Sequence, residues 1–205
     1  MKRFLRGVST FLLLTILLTT GVSAESFKDV SRDNWYYEPV MELTKLGSIK
    51  GYGDSTFKPG ENITFAEFIK IALISITKKD YPMIMDAHFG MTYYRELVRL
   101  EVFKENEFMD EFKDMDELFN QPLTRDDMAY IVVRLDEIIK ENRDVDVKHL
   151  KDTIEDFDLV TPSRKKAVLQ AYGRGLVKGI GNKFYPKEKT TRAEACQIII
   201  RLINR

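Results

Sequence analysis

The sequence predicts a mainly helical protein built from three copies of one unit, and three observations carry that expectation. The segment from Leu46-Gly47-Ser48-Ile49-Lys50-Gly51-Tyr52-Gly53-Asp54 to Phe57-Lys58-Pro59 recurs from Arg174-Gly175-Leu176-Val177-Lys178-Gly179-Ile180-Gly181-Asn182 to Phe184-Tyr185-Pro186, one residue shorter in its turn. A Thr followed three residues later by an acid appears three times, as Thr64-Phe65-Ala66-Glu67, Thr124-Arg125-Asp126-Asp127 and Thr191-Arg192-Ala193-Glu194. An apolar run of helical period follows each tetrad. The tetrads lie 60 and 67 residues apart, a spacing that signals repeated supersecondary units.

Taken in order, residues 1–24 read as an export signal. Lys2, Arg3 and Arg6 precede an apolar run from Phe11 to Leu18, and Val22-Ser23-Ala24 supplies the small residues of a cleavage site. Thr15, Thr19, Thr20 and Gly21 keep this run below the roughly 20 apolar residues of a bilayer span, so an uncleaved anchor is the lesser reading. The three units then occupy 25–80, 81–143 and 144–205. Each begins with a helix, at Tyr37 to Lys45, Tyr93 to Leu100 and Ser163 to Tyr172. A glycine-bearing turn, a short extended stretch around Phe57 or Phe184, and a capped helix follow.

The tetrads have the form of a capping box, in which the Thr hydroxyl accepts from the N3 amide and the acid reaches back to the N-cap amide. Thr64 with Glu67, Thr124 with Asp127 and Thr191 with Glu194 are the expected pairs. Ile69, Ile71, Ala72 and Ile74, then Met128, Ile131, Val132 and Leu135, then Ala195, Ile198, Ile199 and Leu202 form similar apolar faces, which mutual packing buries.

Composition narrows function. The 205 residues carry 32 Lys+Arg and 32 Asp+Glu, and without residues 1–24 the net charge is −3, so nothing suggests a nucleic-acid binder. Two His and one Cys, Cys196 inside an apolar run, argue against a zinc site or a disulfide. His88 and His149 stand far apart, and neither a G-x-S-x-G nor an H-E-x-x-H pattern occurs, so an enzyme is not expected; a glycosidase carboxylate pair is the residual alternative. The acids Asp144, Asp146, Asp152, Asp156 and Asp158 lack the Gly and Glu of a calcium-binding loop. No metal and no cofactor is expected, and no second stretch reads as a transmembrane span.

Phe27-Lys28-Asp29-Val30 with Trp35-Tyr36-Tyr37, then Gly51 to Pro59, then Ile63-Thr64-Phe65-Ala66-Glu67 resembles a motif of the S-layer homology (SLH) family. The third unit resembles it through Asp156, Gly179 to Pro186 and Thr191 to Glu194. The resemblance implies a pseudo-threefold SLH trefoil, with the capped helices bundled centrally, peripheral helix-turn lobes, and grooves between neighbouring lobes. It further implies non-covalent anchoring of an exported protein to a bacterial cell wall through a secondary cell-wall polysaccharide, often pyruvylated. Arg192 and Arg125, each directly after its N-cap Thr, place a guanidinium beside free helix-start amides, an expected seat for a carboxylate. Gly51, Gly53, Gly179 and Gly181 would allow a ligand close to the backbone, and Trp35 would cover an apolar sugar face. Asp29, Asp54 and Asp156 would accept sugar hydroxyls, pin the turns or, for Asp29 and Asp156, cap the helices that follow.

The departures are as specific as the agreements. Unit one has Phe65 where the pattern has a basic residue, which predicts a groove without its charge. Unit two keeps Tyr93-Tyr94, with Thr92 in place of Trp35. It lacks the glycine turn and inserts an acidic stretch, Lys104 to Leu118, expected to repel an anionic polymer. One or two competent grooves are expected rather than three. The alternative is a degenerate trefoil that binds a surface protein partner.

Overall fold

The computed structural model describes residues 27–109, 112–140 and 145–205. The proposed export signal lies outside the described residues. Seven α-helices occur among them: α1 Tyr37–Lys45, α2 Phe65–Thr77, α3 Phe89–Arg99, α4 Met115–Asn120, α5 Arg125–Ile139, α6 Lys165–Gly173 and α7 Arg192–Ile203.

The three long capped helices begin where the tetrads place them. Thr64, Thr124 and Thr191 are N-caps in extended backbone, and each side chain accepts from the N3 amide of Glu67, Asp127 or Glu194. Glu67 and Glu194 close the full box back onto the N-cap amide, at 3.0 and 2.9 Å. Asp127, one methylene shorter, instead accepts from the Thr124 hydroxyl at 2.8 Å. Helix α3 starts earlier than its aromatic pair suggests because His88 Nδ1 accepts from the Gly90 amide. Helix α4, inside the acidic stretch, had no periodic signal and is nucleated by Asp114 accepting from Glu117.

A closed ring of backbone hydrogen bonds joins the three helix starts. The Ile63 amide donates to Thr190 O (2.9 Å), Thr190 to Leu123 O (2.8 Å), and Leu123 to Ile63 O (2.9 Å). Among the described residues these pairings form only isolated bridges, among them Asn62 with Thr191, Thr64 with Pro122 and Thr124 with Lys189, and the extended stretches expected around Phe57 and Phe184 form no strand. Below the ring, α2, α5 and α7 bury Ile69, Ala72, Met128, Val132, Cys196 and Ile199 completely. Each lobe helix packs on the capped helix of the preceding unit: α3 on α2, α6 on α5, and α1 on α7. The first helix thereby closes on the last, and the units interlock instead of standing side by side.

Unit two keeps the lobe turn although it lacks the glycine. Gly47 and Gly175 have φ of 70°, and Glu101 adopts the same left-handed conformation at 59°. The following amides repeat one bond, Ser48 to Leu43 O, Val102 to Leu97 O and Leu176 to Ala171 O. A side chain there costs about 1 kcal/mol, so Glu101→Gly is expected to raise stability by about 0.5–1 kcal/mol; chemical denaturation reads this directly.

Asp126 clasps unit two to unit three. Its buried carboxylate accepts from the Thr161 amide (3.0 Å) and hydroxyl (2.7 Å) and from Lys187 Nζ (2.9 Å). Burial pushes its pKa up, but the bonds from Thr161, Lys187 and Thr124 outweigh it and hold the group below the usual carboxylate value. A folded pKa below the unfolded one gives stability that is complete above the unfolded value near 3.9 and is lost as pH falls through the folded pKa. Asp126→Asn is expected to cost about 1–3 kcal/mol at neutral pH and to flatten the acid limb of the stability profile below about pH 5.

Candidate functional site

The first side chain of each capped helix reaches into the turn of the next unit around the ring. Arg192 donates through Nε to Phe57 O (3.0 Å) and through Nη2 to Lys50 O (3.3 Å), and Nη1 meets Glu67 Oε1 at 3.5 Å. Its guanidinium lies 4.8 Å from the Phe57 ring and 4.9 Å from Tyr52. Arg125 repeats the pattern in unit three, with Phe184 O at 2.9 Å, Lys178 O at 3.3 Å, Glu194 Oε1 at 2.9 Å and the Phe184 ring at 5.3 Å.

These contacts correct the helix-mouth expectation. Arg192 and Arg125 are only 4% and 7% exposed, so they are struts between units and not free anion receptors. The amides are also engaged: Arg192 N donates to Glu61 O, Ala193 N to Pro59 O, Arg125 N to Glu188 O and Asp126 N to Pro186 O. With the N3 amides on their cap threonines, the first-turn donors of α5 and α7 all end on protein oxygens. The reason is the ring itself, which lays each neighbouring loop over a helix start.

Other predicted residues are also placed by turn chemistry. Asp29 accepts from the Phe57 and Lys58 amides, both at 2.7 Å, and Asp156 does the same for Phe184 and Tyr185, also at 2.7 Å. They staple the turns to the start of each lobe; they do not cap helices, and both carboxylate oxygens of each are engaged. Asp54 is exposed and accepts from the Thr56 amide and hydroxyl, which lower its pKa. Gly51 and Gly179 are required by the protein's own packing: a Cβ would sit 2.3 Å from Phe27 and 2.5 Å from Lys183 O, respectively. Gly53 and Gly181 sit at exposed turn tips.

Grooves form between the lobes, and grooves one and three each combine three parts of the chain: a turn with its capped helix, the lobe start that follows it around the ring, and the helix-start arginine that precedes it. Groove one, about 260 Å³, is lined by Ser48, Lys50, Glu67, Lys70 and Asp80, with Arg192 in its floor. Groove three, about 130 Å³, is lined by Trp35, Arg125, Lys178, Ile180, Glu194 and Arg201, whose Nη1 donates to Leu176 O at 3.3 Å. Trp35 is 60% and Ile180 67% exposed, and the indole is propped edge-on against Tyr36 at 5.2 Å. The middle groove, about 610 Å³, lies between α5, α6 and the 101–108 turn. Phe65 fills the strut position there, packing on Phe108, Phe103 and Phe119 at centroid distances of 4.9–6.4 Å.

Sequence reasoning did not find Ser48, Lys70, Asp80 or Arg201, which gain meaning only where units meet. The buried Ser48 hydroxyl lines groove one and has no hydrogen-bond partner among the described residues. Asp80 accepts from Tyr93 Oη at 2.7 Å, which lowers its pKa. Cys196 lies in the helical core, where burial pushes its thiol up to about 12 and keeps it protonated at neutral pH. Among the described residues, no group of His, Cys, Asp and Glu is placed to hold a metal ion, and no helix is long and apolar enough to cross a membrane.

Comparison with known proteins adds a family signature. The model of the S-layer homology domain matches residues 26–69 and 154–196, which build most of units one and three. Over 203 residues the chain is 24% identical to the S-layer protein sap of Bacillus anthracis, covering 97% of this chain and 24% of that protein. It is 26% identical over 198 residues to the exoglucanase XynX of Acetivibrio thermocellus, covering 93% of this chain and 18% of that protein. It is 25% identical over 185 residues to an amylopullulanase of Thermoanaerobacterium thermosulfurigenes, covering 88% of this chain and 10% of that protein. The chain thus spans between a tenth and a quarter of the length of these relatives.

Proposed function

We propose that this chain is a wall-anchoring module of the S-layer homology type, made of three motifs at 25–80, 81–143 and 144–205 with the middle one divergent, exported and retained at a bacterial cell surface. Its ligand is an acidic secondary cell-wall polysaccharide, with pyruvylated sugar as the favoured acid group, held in the grooves between motifs. The observation that carries this reading is groove three, whose lining brings exposed Trp35 together with Lys178 and Arg201. An aromatic face for a sugar ring beside cations for its acid is the combination such a polymer requires. The two segments that match the family model meet there, since Trp35 belongs to the first and Lys178 to the second. The role is non-catalytic: the enzyme names among the relatives belong to proteins of which this chain covers a small part.

The test is retention on purified wall sacculi. The anchoring reading expects the chain to sediment with sacculi, to be displaced by free acidic polymer, and to lose retention when the acid groups are stripped from the polymer. Retention that free polymer does not compete away would instead support binding to a surface protein.

A further inference from the structure

The three lobe helices differ in how the chain reaches their packing partners. Helix α3 packs on α2, the helix just before it in the chain, and α6 packs on α5 in the same way. Helix α1 instead packs on α7, at the opposite end of the described residues, where Asn204 Nδ2 donates to Glu42 Oε1 at 3.4 Å. Helix α2 packs on α3, α4 and α7. The main helical partners of residues 27–77 therefore all lie outside that segment, and one covalent connection, beginning at Lys78, joins it to them.

That connection turns back on a single strained residue. Lys78 caps α2 in left-handed backbone, with φ of 56°, where helices ordinarily place glycine. Lys78, Lys79 and Asp80 are exposed, and local bonds hold the turn: Lys78 N donates to Ile74 O at 2.8 Å and Lys79 N to Thr77 Oγ1 at 3.3 Å. From Asp80 onward the connection is tied to α3, because Tyr93 Oη donates to Asp80 Oδ1 at 2.7 Å and Ile84 N to Thr92 Oγ1 at 3.0 Å. Rotating Lys78 into the helical region relieves its backbone clash and swings residues 27–77 away as a body. Beside this hinge, Met83 and Met85 are 55% and 85% exposed, an apolar pair that the closed fold leaves uncovered.

We propose that two copies of this chain exchange residues 27–77, each seating its α1 on the other copy's α7 and its α2 against the other copy's α3, with the two Met83–Met85 segments meeting beside the hinges. Exchange reproduces every contact that closes the ring, so the closed monomer and the exchanged dimer differ only at the hinges and in the new apolar contact. Two grooves then become shared between copies. Trp35 of one copy joins Lys178 and Arg201 of the other, and Ser48, Lys50 and Lys70 of one copy face Asp80 and Phe89 of the other. The inference concerns assembly and stands whatever the grooves bind.

The experiment refolds two variants of the full chain together, Glu42→Cys and Asn204→Cys, at rising protein concentration, and treats the product with a short bis-maleimide. Cys196 stays silent, since it is buried and its thiol is protonated. The expected result is a dimer by size exclusion with light scattering, and a covalent link between the two variants that grows with concentration. Lys78→Gly, which removes the strain from the closed turn, is expected to raise the dimer dissociation constant roughly fivefold at each hinge and so about twenty-fivefold for the pair. Lys78→Val, whose branched side chain resists the left-handed region, shifts it the opposite way. A chain that is monomeric at every concentration would overturn the exchange. So would a dimer in which the two cysteines do not link, because that dimer joins closed copies. A linked dimer unmoved by both Lys78 variants would overturn the assignment of the hinge.

Discussion

Arg192→Met is expected to lower unfolding free energy by about 2–4 kcal/mol, since it orphans two backbone acceptors and a partly buried carboxylate at once. The side chain is 5% exposed and bridges α7 to Lys50, Phe57 and Glu67 of the first unit. Methionine retains most of the packing on Tyr52 and Phe57, so the loss isolates the polar strut. Glu67 is 32% exposed, and water softens its loss, which keeps the estimate below that for a fully buried pair. At roughly 2–4 °C per kcal/mol for a chain of this size, the melting temperature should drop by about 5–15 °C. Arg125→Met should behave alike through Phe184, Lys178 and Glu194. A change below about 0.5 kcal/mol in urea unfolding would show that these guanidinium groups are not struts. A corollary concerns binding assays: loss of wall retention in either arginine variant reports damaged groove architecture as much as a missing ligand contact.

Trp35→Ala is expected to weaken retention on sacculi by about thirtyfold, the scale of losing an aromatic hot spot worth about 2 kcal/mol. Stability should move by less than about 0.5 kcal/mol, because a side chain 60% exposed contributes little to the core. Its one ring partner among the described residues, Tyr36, packs on the core without it. The pairing of a large binding effect with a small stability effect separates the two roles that the arginines combine. Lys178→Ala, at an exposed position on the same groove, should show the same signature more weakly. Wild-type retention by Trp35→Ala would remove groove three from the proposal.

Much of the fold was legible because its signals are local. The capping boxes at Thr64 and Thr191 depend on residues three apart, and the duplicated turn depends on one contiguous segment, so both stand in the chain as written. Helix α4 was missed because one short turn inside an acidic run has no period to detect. The left-handed turn at Glu101 was missed because a carboxylate there gives no sign that the backbone takes a glycine's conformation. For Asp29 and Asp156 the sequence leaves pinning the turns and capping the following helices both open, because the helices are the nearer neighbours, and the structure has them pin the turns. Their actual partners lie 28 and 29 residues away.

The chain by itself determined a mainly helical body with three Thr-capped helices, opened by Phe65 in one and by arginine in the other two. Tertiary structure decided which unit each side chain serves. Every lobe helix packs on its neighbour's capped helix, and each of the three Thr-capped helix starts is covered by another unit's loop, so Arg125 and Arg192 become internal struts. Residues that meet across 69, 37 or 125 positions leave no periodic trace. The physical reason is closure: a unit that cannot bury its own apolar face must borrow the next, and three such loans form a ring only in space.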